Sequence, residues 1–235
     1  MGRSSTSMTS DKKIALIFNG VPPDGMDVNA MTERILNHIP HDRVVFHSWT
    51  EYKDKFKDFE YEVLFTPEPE VTYHPYRPEK KVVEVTKHHK RHFQILGFAH
   101  AIDSLDEEFD YYIRVRYDTY INNPLTRDVI NVIMETYKCE TVGFGAVPVT
   151  MTPEQFEVAL QNLNVPLDYH WVIDENKLRD FLIITKSVDT NKIFQLYDEK
   201  KLLPAEDGWW QVLHKEKTRN ILSWVTLWRH VTTFG

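Results

Sequence analysis

Apolar and polar positions along the chain switch between a strand-like and a helix-like period. Residues 13–18 (KIALIF) are an apolar run that ends in Asn19-Gly20-Val21-Pro22-Pro23-Asp24-Gly25, which predicts a core strand entering a turn-rich loop. Val28, Met31, Ile35 and Ile39 then recur at helical spacing until Pro40 stops the pattern. Residues 44–46 and 62–65 read as the second and third strands, with Pro67 and Pro69 ending the latter, and 67–78 read as an ordered loop. A long helical pattern covers 81–105, a strand 110–118, and a further helix 125–137, with Leu125, Val129, Val132, Ile133 and Met134 on its apolar side. This alternation of strands and helices predicts an α/β fold with a mainly parallel, Rossmann-like sheet flanked by helices.

The second half is less regular. Residues 141–149 (TVGFGAVPV) predict a strand, Thr152-Pro153-Glu154 a helix start, 179–185 another strand and 193–197 a helix. Residues 204–213 form a polar and aromatic segment. No repeat or linker interrupts the pattern, so 11–235 is expected to be a single domain, preceded by a Ser- and Thr-rich stretch, 1–10, read as a flexible leader or cloning remnant.

Composition narrows the class. Hydrophobic residues are 42% of the chain and charged residues 27%, the balance of a folded globular protein. A net charge of −7 argues against a nucleic-acid partner, whose phosphates call for a basic surface. One cysteine, Cys139, leaves no internal disulfide framework; with no membrane-spanning apolar run and no secretion signal, a cytoplasmic protein is expected.

The segment 110–118 (DYYIRVRYD) carries the most chemistry. Strand alternation puts Tyr112, Arg114, Arg116 and Asp118 on one face and Tyr111, Ile113, Val115 and Tyr117 on the other. Two arginines within an apolar strand need anions, either a ligand's phosphates or a structural partner such as Asp106, Glu107 or Asp118 itself. Asp118 falls at the strand's C-terminal end, where open α/β sheets bind ligands and a carboxylate can hold a divalent cation.

Three other segments are candidates, each with a plainer alternative. Arg91 belongs to a cationic stripe with His88 and Gln94 that faces either a ligand or water; His88, His89 and His92 lack the neighbours of a metal cluster. The loop Asn19-Gly20-Val21 is suited to a nucleoside, or is a plain turn. In Glu206-Asp207-Gly208-Trp209-Trp210, either carboxylate could act as a base toward an acceptor hydroxyl, Trp209 and Trp210 could stack on a sugar, and the glycine reads as flexible; the alternative is an acidic helix start followed by core tryptophans.

The stretches KHHKRHFQILGFAHA (87–101) and FDYYIRVRYD (109–118) resemble the core of GT-A-type glycosyltransferases, in particular bacterial lipopolysaccharide-synthesis enzymes and chlorella-virus enzymes that glycosylate the major capsid protein. The resemblance covers the middle third of the chain. It implies a GT-A-like fold, a UDP- or GDP-sugar donor, a glycan or glycoprotein acceptor, and Mn²⁺ or Mg²⁺ on a DxD-type motif. Asp118 matches the metal-binding acid, and Arg114 and Arg116 match the family's arginines. The motif departs from the family at Tyr120, where Asp118-Thr119-Tyr120 lacks the second carboxylate, so that His214, water or the donor phosphates would have to complete the metal's coordination. The rival readings are a nucleotidyltransferase, which normally needs a basic glycine-rich opening loop, and a non-catalytic carbohydrate- or protein-binding module.

Overall fold

A computed structural model describes residues 12–79, 82, 84–86, 89–121, 124–136, 138–145, 170–172, 178, 180, 182–213, 218–222 and 228–229. The expected helix start at 152–154, residues 146–149, His88 and His214 lie outside them.

The first strand, β1 (Ile14–Asn19), is buried along its whole length. It leads through Gly20, at φ +118°, into α1 (Val28–His38). Asp27 caps that helix by accepting from the Ala30 N–H at 3.0 Å, and the helix ends before Pro40. β2 (Arg43–Trp49), a 3₁₀ turn (Thr50–Phe56) and β3 (Val63–Thr66) follow. α2 (Phe93–Asp103), β4 (Tyr111–Val115), the short β5 (Thr119–Tyr120) and α3 (Arg127–Asn131) come next, the last continuing as a π-helical turn (Val132–Thr136). Then come β6 (Thr141–Gly145), β7 (His170–Val172), β8 (Leu182–Thr185), α4 (Thr190–Asp198), α5 (Ala205–Leu213), β9 (Thr218–Leu222) and β10 (Trp228–Arg229).

Eight strands form the main sheet in the order β3-β2-β1-β4-β8-β6-β9-β7, and β10 pairs with β5 separately. β3, β2, β1 and β4 are mutually parallel, and β6 and β9 are parallel to each other. β8 runs antiparallel between β4 and β6, and β7 antiparallel to β9. The fold is a mixed α/β sheet flanked by helices, and its first half matches the expected parallel order.

The alternation expected of β4 is met. Tyr111, Ile113 and Val115, with Tyr117 beyond the strand, join the core layer that contains Ile35 of α1 and Ile130 of α3. Tyr112 packs into the opposite layer with α2, α4 and α5. α2 is apolar nearly all round, as a helix clamped between a sheet and two other helices must be.

The helix expected over 81–105 is shorter. Residues 82, 84–86 and 89–92 are not helical, and α2 begins at Phe93, where the apolar run starts. The Lys- and His-rich stretch before it has no apolar face to bury, so helical spacing of a few residues does not suffice. The loop 67–78 is ordered as expected: the Tyr73 hydroxyl donates to the Leu202 carbonyl at 2.9 Å, and the Tyr197 hydroxyl to that of Glu70 at 2.7 Å.

Candidate active site

From β1 the chain passes to β2 on one side, while β4 lies on the other, so the strand order reverses between β1 and β4. Loops leaving two such neighbours diverge and leave a crevice at their C-terminal ends. A cavity of about 550 Å³ opens there. Asn19, Gly20 and Val21 line it from the end of β1 and the loop after it; Arg114, Arg116, Tyr117 and Asp118 from β4 and the residues that follow it; Asp180 from the approach to β8; and Ala205 and Glu206 from the start of α5. Trp49, Tyr52, Glu68, Lys90, Arg91, Phe93 and Gln94 complete the wall. Eight candidates from four separate sequence segments therefore meet in one place: Asn19, Gly20, Val21, Arg91, Arg114, Arg116, Asp118 and Glu206.

The two arginines have different surroundings. Arg114 is fully buried. Its Nε donates to Asn19 Oδ1 at 2.7 Å, its Nη2 to Gln94 Oε1 at 2.9 Å, and its Nη1 to the Asp180 carbonyl. Its guanidinium carbon stands 5.1 Å from the centre of the Trp209 ring. Gln94 closes the network: its carbonyl accepts from the Asn19 amide, and its Nε2 donates to Asp180 Oδ2 at 3.1 Å. Burial in this nest, with Arg116 nearby, pulls the Arg114 pKa down to about 10 despite the attraction of Asp180 and Asp118, so the side chain stays charged at neutral pH. It is a tie between β1, α2, β4 and the segment before β8.

Arg116 sits further out, its side chain 23% exposed. Its Nε and Nη2 grip the two oxygens of Asp118 at 2.7 and 2.6 Å. Burial lowers its pKa, but the Asp118, Asp180 and Glu206 carboxylates more than offset this and leave the value raised. The charged face of β4 thus finds its partners inside the protein: an ion pair for one arginine and neutral acceptors for the other. The charge of these arginines does not by itself require an external anion.

Asp180 was not singled out in the sequence. It reaches the cavity because β8 is antiparallel to β4, pairing Leu182 with Val115, which brings the residues before β8 to the C-terminal end of β4. The Leu178 N–H donates to the Glu206 carbonyl at 3.2 Å, tying this segment to the start of α5. Lys90 and Glu68 pair across another part of the wall. Arg91 is exposed and precedes α2, so the stripe expected on a helix is in fact a turn at the cavity's edge.

The other candidates are placed differently. Trp209 is wholly buried between Arg114 and Phe98, which leaves no indole face for an acceptor sugar. Trp210 is partly buried against the core, and neither it nor Asp207 lines the cavity. Gly208 is not a flexible joint. A Cβ there would lie 2.0 Å from the Leu203 carbonyl oxygen and 2.4 Å from Ile95 Cδ1, so glycine is required for α5 to pack this closely. The backbone of Tyr120 belongs to β5, opposite Trp228.

Among the described residues nothing fits a protein-held divalent metal. Both Asp118 oxygens accept from Arg116, and among the described residues no three His, Cys, Asp or Glu side chains converge as ligands. Among the described residues, too, no helix is long and apolar enough to cross a membrane.

No family model and no curated protein matches the sequence. In three dimensions the chain is similar to mannose-1-phosphate geranyltransferase from Thermus thermophilus, at 11% identity and a TM-score of 0.44, covering 92% of this chain and 75% of that one. It is also similar to 4-diphosphocytidyl-2C-methyl-D-erythritolsynthase from Anaerococcus prevotii, at 12% identity and 0.42, covering 92% and 91%. A third is S. aureus TarS, at 12% identity and 0.40, covering 92% of this chain but only 59% of that one. Nothing in these comparisons links the chain to virus-capsid glycosylation.

Proposed function

We propose that this chain is a nucleotide-sugar-dependent glycosyltransferase, with residues 11–235 acting as one catalytic domain. The observation that carries the reading is the cavity at the point where the strand order reverses, between the C-terminal ends of β1 and β4, the position at which open α/β sheets take their ligands. Its volume of about 550 Å³ lies within the range of small-molecule sites.

The lining suits the parts of such a donor. Trp49, Tyr52, Phe93 and Val21 offer an apolar wall to a base, and Asn19 and Gly20 lie beside it for the ribose. Lys90, Arg91 and Arg116 supply cationic donors to the phosphates, whose negative charge grows as the diphosphate leaves. Glu206 enters the cavity from the first turn of α5 and is the base toward the acceptor hydroxyl. The loop after β1, from Asn19 to Met26, contains no Lys or Arg, which favours sugar transfer over the nucleotidyl transfer that needs a basic opening loop.

The test is product analysis after incubation with a panel of UDP- and GDP-sugars and with the matching nucleoside triphosphates plus sugar phosphates. Release of a nucleoside diphosphate supports glycosyl transfer. Release of pyrophosphate would establish the nucleotidyltransferase instead, and no turnover of any donor together with no nucleotide binding would leave the binding-module reading.

A further inference from the structure

We infer that the site holds the phosphates of its nucleotide without a divalent cation, with Asp118 serving as the positioning residue that aims Arg116. This rests on the nucleotide-sugar reading of the cavity and specifies how its phosphate end works.

A carboxylate at the C-terminal end of a core strand is the natural place for a metal, and the sequence alone points Asp118 at that role. The geometry gives the carboxylate a different partner. Its two oxygens meet the Nε and Nη2 edge of Arg116 in a bidentate pair, with the Asp118 side chain 9% exposed. A hard cation bound by the same oxygens would stand within a few ångströms of that guanidinium, in a partly desolvated pocket where like charges repel strongly. Two further facts agree. The second acid of a metal-binding pair is replaced by Tyr120, and the nearby carboxylates Asp180 and Glu206 act on Arg116 by holding it charged. The cation at the phosphate end is therefore covalently part of the chain. A guanidinium has five N–H groups in a fixed fork, and fixing its plane by one edge sets the direction in which it can meet a phosphate. Asp118 supplies that orientation without touching the ligand.

The test is calorimetric titration of UDP and GDP into the full chain in chelator and in Mn²⁺, for the wild type, Asp118→Asn and Arg116→Gln, with electron paramagnetic resonance of Mn²⁺ added to the protein alone. Wild-type affinity should change by less than about threefold between chelator and Mn²⁺. Asp118→Asn should weaken binding about tenfold, equally in both conditions, since it loses one charge-assisted contact that orients Arg116. Should Asp118→Asn fail to fold, the wild-type comparison decides alone. A gain of about tenfold or more on adding Mn²⁺, or Mn²⁺ binding that Asp118→Asn abolishes, would overturn the inference. If neither nucleotide binds, the nucleotide-sugar reading itself fails, and the Mn²⁺ resonance still tests the role of Asp118: an unaltered free-ion signal upholds the pairing with Arg116, and a quenched one refutes it.

Discussion

Arg114 and Arg116 are two residues apart on the same face of one segment, yet they belong to different parts of the molecule. Arg114 is floor: buried, bonded to Asn19, Gln94 and the Asp180 carbonyl, and seated over Trp209. Arg116 is wall: partly exposed, paired with Asp118 and surrounded by carboxylates that line the cavity. One charge holds four elements together, and the other stands at the cavity, where the proposed nucleotide would meet it. Depth decides which, because a guanidinium in the core must find every partner within the protein while one at the cavity can also be met by water or a ligand.

The contrast is sharpest in stability. Arg114→Met removes the donor from three acceptors at once and should destabilise the fold by about 3–5 kcal/mol, read as a fall in denaturation midpoint. Arg116→Gln strands the Asp118 carboxylate beside Asp180 and Glu206 at the cavity's edge and should cost about 1–3 kcal/mol, less than Arg114→Met, while weakening nucleotide binding about tenfold or more. Equal stability losses in the two variants would erase the distinction between floor and wall.

Glu206→Gln probes the wall from the other side. Loss of a positioned base should lower kcat by about 10²-fold with melting temperature and donor affinity unchanged. A large loss of stability with normal turnover would make Glu206 only the acidic first turn of a helix.

A third region, beneath the turn that carries Lys90 and Arg91, gives the smallest effect. His92 is buried against Tyr73, Phe93 and Tyr197, and its two ring nitrogens have no hydrogen-bond partner among the described residues. Burial, with His89 adding, pushes its pKa down to about 4 from 6.5. Between those values the unfolded chain binds the extra proton and the folded chain does not, so stability falls as pH drops from 6.5 toward 4. His47, pushed down to about 3 chiefly by burial, extends the loss further into acid. His92→Phe should flatten this acid limb in denaturation curves while leaving stability at pH 7 nearly unchanged; an unchanged acid limb would show that His92 does not titrate in that window.

The sequence revealed the half of the site that rests on local pattern. β1 and its loop, the two-faced strand β4, and Glu206 at the start of a helix each declare themselves within ten residues, and all three meet at the cavity. What it hid depends on pairing at long range. Asp180 reaches the cavity only because β8 runs antiparallel to β4, and strand direction leaves no mark on an apolar run such as Leu182–Thr185. Trp49 and Tyr52 likewise read as ordinary residues until the sheet order brings them to the same wall. Of the two readings of Trp209, sugar platform or core, the structure takes the core, for a related reason. Its burial is set by Arg114 and Phe98, distant in sequence, and a tryptophan beside another tryptophan gives no sign of which one faces inward. Helical spacing before Phe93 does not make a helix there, because the Lys- and His-rich stretch offers no apolar face to pack.

The central claim, that the cavity between β1 and β4 binds a sugar nucleotide, is tested most directly by calorimetric titration of UDP- and GDP-sugars into the wild type and Arg116→Gln. Saturable binding of at least one donor by the wild type, weakened about tenfold or more in the variant, is the expected result. Absence of heat with every donor, or equal affinity in the two proteins, would contradict it.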